Sequence, residues 1–181
     1  MEKNNNVLKT IASYIILILI TFCIMLGLYQ IVLPVRVNGE SMIPNFLNND
    51  RVVVYKKAYD EKSPKRGDVV VAYANIDGER TRIIKRVIGT PGDKIEFKDK
   101  HLYINGEEIK ESYLNKSVIT VEGDLGAPII VEKDNYFCMG DNREDSEDSR
   151  DFGTIKKSNI IGKVVFRVFP FNKFGNPYRE K

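Results

Sequence analysis

Ser41, in the stretch NGESMIPNF, could act as a nucleophile on a carbonyl group. A serine hydroxyl is a weak nucleophile at its ordinary pKa, so this chemistry needs a general base beside it. The only histidine, His101, lies in the charged stretch KDKHLYING and is most simply an exposed strand residue. A lysine or a carboxylate is therefore the stronger candidate for the base. Without such a partner, Ser41 is an ordinary polar residue in a turn bounded by glycine and proline.

Lys85, in RIIKRVIGTPGD, is the lysine whose position favours that role. The β-branched residues around it predict a strand, and alternate side chains of a strand share a face. Lys85 then shares an apolar face with Ile83 and Val87. Burial disfavours the ammonium form, and lowering a lysine pKa from about 10.4 to between 7 and 8 costs about 4 kcal/mol. Lys85 is either such a buried base or a half-buried residue whose amine reaches solvent.

The segment GDNREDSEDSRDFG, residues 140–153, is rich in carboxylates, and one hypothesis is that it forms a calcium-binding loop. Counted from Asp145, the sixth position is Arg150 instead of glycine, and the twelfth is Lys156 instead of glutamate. The sequence therefore predicts no metal site. From the residues alone, the segment is a solvated acidic loop with ion pairs such as Asp148 with Arg150.

A charge-free apolar run of 23 residues, Ile11 to Leu33, precedes the candidate nucleophile. At about 1.5 Å per residue it can cross a hydrocarbon core of about 30 Å, which predicts a transmembrane helix. A cleaved signal peptide is the alternative, but its apolar segment spans about 7 to 15 residues and ends in small residues. Here the run is longer and ends in LPVRV.

The positive residues Lys3 and Lys9 precede this run and favour a cytoplasmic N-terminus. The sequence therefore predicts two parts: a cytoplasmic N-terminus with a single transmembrane helix over 1–34, and an extracytoplasmic domain over 35–181. The second part would lie on the outer face of the cell membrane.

Beyond Pro34, short β-branched and aromatic runs such as GDVVVAY and IIGKVVFRVF alternate with turn residues, which predicts a mostly β domain. Asn105-Gly106 predicts a two-residue hairpin turn. The 28 basic and 25 acidic residues give a net charge of +3 with no long basic run, so nucleic acid is not an expected partner. Cys23 and Cys138 have no metal-ligand spacing.

Three blocks, GESMIP, KRVIGTPGD and GDNREDSEDSRDFG, follow an N-terminal anchor in this order. They resemble the signature blocks of type I signal peptidases, the membrane-bound Ser/Lys endopeptidases that remove signal peptides from exported proteins. The stretch GDVVV is similar to a fourth, less specific block. The resemblance implies an antiparallel β-sheet catalytic domain and no cofactor. This short chain with one anchor looks like bacterial members of Gram-positive type.

Carried over by position, the resemblance makes Ser41 the nucleophile and Lys85 the general base of an acyl-enzyme mechanism. Ser146 matches the serine that hydrogen-bonds and orients the lysine amine. Asp148 and Arg150 match a structural pair that supports the site.

Two positions near Ser41 depart from the family's pattern. The second oxyanion donor falls at Gly39, where some members have serine, so the backbone amide of Gly39 would have to serve. Asn45 replaces the threonine that usually follows the proline of the first block, which puts a turn contact in doubt.

The resemblance also implies the partners. The substrates would be preproteins that carry signal peptides with small residues at the first and third positions before the cut, bound as an added strand. In the family, certain positions line two shallow pockets for these side chains. The residues at those positions here could equally belong to the hydrophobic core: Val37, Met42, Phe46 and Ile84. The anchor makes the lipid bilayer the second partner, and a fully extended link from Leu33 to Ser41 spans at most about 29 Å, so Ser41 is expected to work close to the membrane surface. The apolar stretch MIPNFL is predicted to enter the lipid interface.

Two other functions fit parts of the pattern. A self-cleaving Ser/Lys repressor-type protease has a related fold, but such proteins are cytosolic and carry a DNA-binding region. An inactive membrane-tethered β domain could bind extended peptides. Such a relative should have lost Ser41, Lys85 or Ser146, and all three are present.

Overall fold

A computed structural model describes residues 2–114, 118–121, 123–124, 126 and 128–178, with side chains from residue 9 onward. The first element is a long helix, α1 (Glu2–Ile31). Eleven strands follow: β1 (Val32–Arg36), β2 (Arg51–Tyr55), β3 (Val69–Ile76), β4 (Glu79–Gly89), β5 (Lys94–Lys98), β6 (His101–Ile104), β7 (Glu107–Glu108), β8 (Ile129–Ile130), β9 (Asn135–Met139), β10 (Ile155–Lys156) and β11 (Ile160–Phe169). One short helix, α2 (Ser149–Phe152), lies between β9 and β10, and single 3-10 turns cover Lys56–Tyr59, Lys157–Asn159 and Phe171–Lys173.

The helix α1 contains a 23-residue stretch, Lys9–Ile31, that is long and apolar enough to cross a membrane by length and composition. The hydroxyls of Ser13 and Thr21 donate to the carbonyls four residues earlier, which satisfies both groups within the helix. The helix ends two residues before the apolar run does, so the expected span to Leu33 is too long. Val32 and Leu33 instead begin β1, where they pair with β2.

The strands form two antiparallel sheets, which confirms the mostly β prediction. A seven-stranded sheet has the order β1-β2-β11-β3-β4-β9-β10, and a four-stranded sheet has the order β7-β6-β5-β8. Asn105 and Gly106 connect β6 to β7 with φ angles of 55° and 85°. Positive φ at both central residues is typical of a type I′ hairpin turn, so the Asn-Gly prediction is confirmed.

The larger sheet is covered on both faces where β3 and β4 pair. Residues 69, 70 and 71 of β3 are each at most 1% exposed, because adjacent valines belong to different core clusters on opposite faces. On β4, Ile84 packs in the cluster of Val69 and Val71, whereas Val87 packs in the cluster of Val70. The first four residues of β3 are therefore all buried, which explains the uninterrupted apolar stretch of GDVVVAY.

Candidate active site

Lys85 lies in the buried part of β4, which covers residues 84–89. Its partner across the ladder is Val70 of β3, and Ile83 and Val87 pack in the cluster of Val70. The apolar face predicted for Lys85 is confirmed. The alternative, in which its amine reaches solvent, is wrong, because the residue is only 4% exposed. Burial lowers the pKa of the Lys85 ammonium, against the raising influence of the nearby Asp148 carboxylate.

Ser146 links this lysine to a buried carboxylate. Lys85 Nζ donates to Ser146 Oγ at 3.1 Å, and Ser146 Oγ donates to Asp148 Oδ2 at 2.8 Å. Because a hydroxyl has one proton, its donation to Asp148 leaves the oxygen as an acceptor toward Lys85. The geometry therefore fixes the direction of one N–H bond of the lysine amine, which points at Ser146 Oγ.

Asp148 and Arg150 form the ion pair expected from the sequence. Arg150 Nε lies 2.8 Å from Asp148 Oδ1, and its second guanidinium nitrogen lies 2.9 Å from Oδ2. Asp148 is 0% exposed and caps α2, and the Gly140 N–H also donates to it at 2.9 Å. The segment is thus only partly a solvated acidic loop: Asp141 and Asp148 are buried beside arginines, whereas the acidic residues at 144, 145 and 147 are exposed. Within the described ranges, no group of three His, Cys, Asp or Glu side chains could hold a metal ion.

Ser41 lies in the turn after β1 and is half-buried. Its carbonyl oxygen accepts from the Asn142 N–H at 3.0 Å. Gly140 packs between this carbonyl and Ser146, since a Cβ at Gly140 would lie well under 3.0 Å from both Ser41 O and Ser146 Oγ. The structure therefore brings Ser41 and Ser146 together at Gly140, and Ser146 in turn contacts Lys85.

A buried network that the sequence reasoning missed joins the Ser41 turn to β4. Arg86, next to Lys85, binds Asp141 through two hydrogen bonds of 2.8 Å and 2.6 Å. Asn45 Nδ2 donates to Asp141 Oδ2 at 2.9 Å and to the Tyr113 carbonyl at 2.8 Å. The substituted Asn45 thus makes defined turn contacts. Arg86 and Asp141 stand 55 residues apart, and only their presence in the second and third blocks could have pointed to them.

Gly39 has a φ of 86°, a left-handed conformation that favours glycine. Its N–H donates to Asn48 Oδ1 at 3.3 Å. The predicted second oxyanion donor is therefore engaged by a side chain in this structure. Its assignment stays a prediction, and the amide would have to exchange Asn48 for the oxyanion.

The residues expected to line substrate pockets lie together in one core cluster: Val37, Met42, Phe46 and Ile84. Met42 and Phe46 are each 1% exposed, so the expectation that they enter the lipid interface is wrong; the adjacent Leu47 is 37% exposed. Their role as pocket residues stays a prediction. His101 is an exposed strand residue, as expected, with Nδ1 3.3 Å from a Glu108 carboxylate oxygen.

Comparison with known proteins decides the family. The family described as signal peptidase, peptidase S26, matches residues 7–169. The chain belongs to this signal peptidase family. It is 38% identical to signal peptidase IB of Staphylococcus aureus strain COL over 188 aligned positions, which cover 96% of this chain and 97% of the relative. It is 37% identical to signal peptidase I P of Bacillus subtilis subsp. natto, over 95% of this chain and 94% of that one.

A crystal structure of a signal peptidase I from Enterococcus faecalis is 31% identical in sequence. It covers 57% of this chain and 98% of that chain, with a TM-score of 0.49. The resemblance to type I signal peptidases, read from the three blocks, is confirmed by the family match and the two relatives.

Proposed function

We propose that this signal peptidase cleaves preproteins with a Ser41–Lys85 dyad through an acyl-enzyme. The observation that carries the proposal is the burial of Lys85 to 4% exposure, with its amine hydrogen-bonded to Ser146, which packs with the Ser41 carbonyl at Gly140. A lysine with a lowered pKa holds a neutral amine at a lower pH than a solvated lysine does. A neutral amine is the base that a serine nucleophile needs.

The reaction begins when the neutral amine of Lys85 takes the proton of Ser41 Oγ as this oxygen attacks the scissile carbonyl carbon. The lysine then gives that proton to the leaving amine, and the C–N bond breaks to leave an ester on Ser41. Water, deprotonated by the same lysine, hydrolyses the ester and restores the serine. Lysine here replaces the His-Asp pair of other serine hydrolases.

Ser146 and Asp148 orient the base in this scheme. Ser146 Oγ accepts a hydrogen bond from Lys85 and donates one to Asp148, so the amine cannot rotate freely. This leaves the lone pair of the amine available to Ser41. Arg150 neutralises Asp148, which limits how strongly the carboxylate favours the ammonium form of Lys85.

The oxyanion would be held by the backbone N–H groups of Ser41 and Gly39, and one such donor typically contributes about 3 kcal/mol to the transition state. The Gly39 N–H must first leave Asn48 Oδ1. Its 3.3 Å distance is long for a hydrogen bond, which makes this exchange inexpensive.

The substrate would be an extended signal-peptide end with small residues at the first and third positions before the cut. Val37, Met42, Phe46 and Ile84 would form the floor beneath these two side chains, because the cluster lies under the Ser41 turn. Bulky floor residues leave room for alanine-sized side chains only. The helix α1 would anchor the chain once in the cell membrane with a cytoplasmic N-terminus, and the β domain would lie outside.

The test is cleavage of a secreted precursor by the full chain solubilised in detergent. We expect the wild type to release the mature protein, and Ser41→Ala and Lys85→Gln to release none although both variants remain folded. Cleavage by Ser41→Ala at the wild-type rate would overturn the assignment. Peptide binding without cleavage by the wild type would instead favour a tethered binding domain.

A further inference from the structure

The C-terminal end of α1 is tied to the β domain by one lysine. Lys56 Nζ donates to the Tyr29 carbonyl at 2.8 Å and lies 5.0 Å from the centroid of the Tyr29 ring. This carbonyl belongs to the last turn of the helix, where carbonyls lack partners within the helix, and the positive charge also matches the helix dipole. Tyrosine and lysine at a helix end are typical of the membrane–water interface. With α1 inserted, Lys56 stands at headgroup level.

A cavity of about 690 Å³ opens at Lys56. The 3-10 turn Lys56–Tyr59, the segment 132–135 before β9 and the segment 156–160 around β10 line it. The last two are joined by the Lys157 N–H, which donates to the Asp134 carbonyl at 2.7 Å. The cavity thus lies at the β10 edge of the larger sheet, on the side where α1 ends.

Four lysines line this cavity: Lys56, Lys133, Lys156 and Lys157. The carboxylates in its wall are Asp60, Glu132 and Asp134, so the wall is positive by one charge. Glu132 is turned to the protein by Asn135 Nδ2, which donates to it at 3.3 Å. Among the salt bridges between described residues, none involves the four lysines. The ammonium groups of Lys133, Lys156 and Lys157 are available to an anion, whereas Lys56 donates one N–H to the Tyr29 carbonyl; nothing in the proposed peptidase reaction uses any of the four.

We propose that this cavity binds the phosphate of an anionic phospholipid headgroup, with a glycerol-type headgroup donating hydroxyls to the wall carboxylates. Lysine binds phosphate as a point charge, and each lysine near an anionic membrane surface strengthens attraction to it. The inference rests on the proposed insertion of α1 and is independent of the peptidase chemistry. Its consequence is a fixed lipid that holds the β domain against the membrane at its β10 edge.

The test measures lipid retention by the full chain. The purified protein in mild detergent is titrated with phosphatidylglycerol or phosphatidylcholine, and bound lipid is counted by mass spectrometry of the intact complex. We expect a preference for phosphatidylglycerol in the wild type. A triple variant, Lys133→Gln with Lys156→Gln and Lys157→Gln, should lose affinity by tenfold or more, on the order of severalfold for each lysine.

The matched control removes the same charge elsewhere, with Lys98→Gln, Lys100→Gln and Lys110→Gln at exposed positions outside the cavity. It should keep the wild-type preference. Equal loss in both triple variants, or no preference in the wild type, would overturn the proposal. The single variants Lys133→Gln and Lys156→Gln change exposed residues and are expected to fold even if the triple variant does not. Each should show part of the loss of affinity for phosphatidylglycerol.

Three further arms of the experiment separate the possible failures. Inorganic phosphate is added alone; if it displaces phosphatidylglycerol and raises the unfolding temperature as much as the lipid does, the site binds free phosphate and the lipid assignment is wrong. Ser41→Ala should keep the preference for phosphatidylglycerol, because lipid binding does not depend on peptidase activity. Flotation with neutral vesicles tests the insertion of α1 by itself, and failure to float would remove the basis of the inference.

Discussion

Replacing Gly140 with alanine tests whether the close approach of Ser41 and Ser146 matters for the reaction. The added Cβ would lie 2.6 Å from Ser146 Cβ, and closer still to Ser146 Oγ and the Ser41 carbonyl oxygen. An ordinary carbon–carbon contact is about 3.5 to 4.0 Å, so the two segments must separate by about 1 Å. A displacement of that size at a reacting centre can cost about 100-fold in rate. Gly140→Ala should therefore lower kcat/KM by about 100-fold.

The matched control is Gly89→Ala, also a glycine packed in the interior. Its Cβ would lie 2.8 Å from Ile95 Cδ1 and 3.1 Å from Phe137 Cβ, away from Ser41 and Lys85. Overpacking lowers the free energy of unfolding by about 1 to 3 kcal/mol, and we expect this loss of stability in both variants. The assay is precursor cleavage by the folded fraction of each variant, with stability followed by urea unfolding. If Gly140→Ala cleaves as fast as Gly89→Ala, the proposed packing of the site is wrong.

The other predictions concern the base and the residues that hold it. Lys85→Arg should abolish cleavage although it keeps the charge, because a guanidinium does not act as a base near neutral pH; residual cleavage above one part in a hundred, measured with the same precursor, would argue against the dyad. Lys85→Met should raise the free energy of unfolding at neutral pH by about 1 kcal/mol or more, since burial disfavours the charged amine; unchanged urea midpoints would contradict this. The lowered pKa means that the folded state binds fewer protons at Lys85, so wild-type stability should rise with pH above the folded pKa up to the unfolded value, and Lys85→Met should lack that rise. Asn45→Ala should lower kcat by about tenfold with KM unchanged, whereas Asn45→Asp should be worse, because a second carboxylate would face Asp141.

The sequence predicted the elements that depend on local pattern. Alternation placed Lys85 on the face of Ile83 and Val87, and Asn105-Gly106 predicted its turn, because both signals lie within a few adjacent residues. The helix end was missed by two residues, since apolar composition does not distinguish a membrane helix from the strand that continues it. Pairing with β2 decides that Val32 belongs to β1.

The acid-rich segment could not be placed from its composition. Two of its carboxylates, Asp141 and Asp148, are buried because Arg86 and Arg150 bind them, and Arg86 lies on β4, far away in sequence. Spacing alone also could not show that the Gly39 N–H faces Asn48, because this depends on how the turn closes. The roles of Ser41 and Lys85 rested on the three blocks together, and the structure adds that Ser146 contacts Lys85 and packs with Ser41 at Gly140.

The most direct measurement of the dyad is the mass of the protein during turnover of an activated substrate. A peptide ending in Ala-x-Ala as an activated ester acylates faster than an amide does, so the acyl-enzyme accumulates and acid quenching traps it. The account predicts an adduct of the peptide's mass on the fragment that contains Ser41, formed by the wild type and absent from Ser41→Ala. An adduct on another residue, or one that persists in Ser41→Ala, would contradict it.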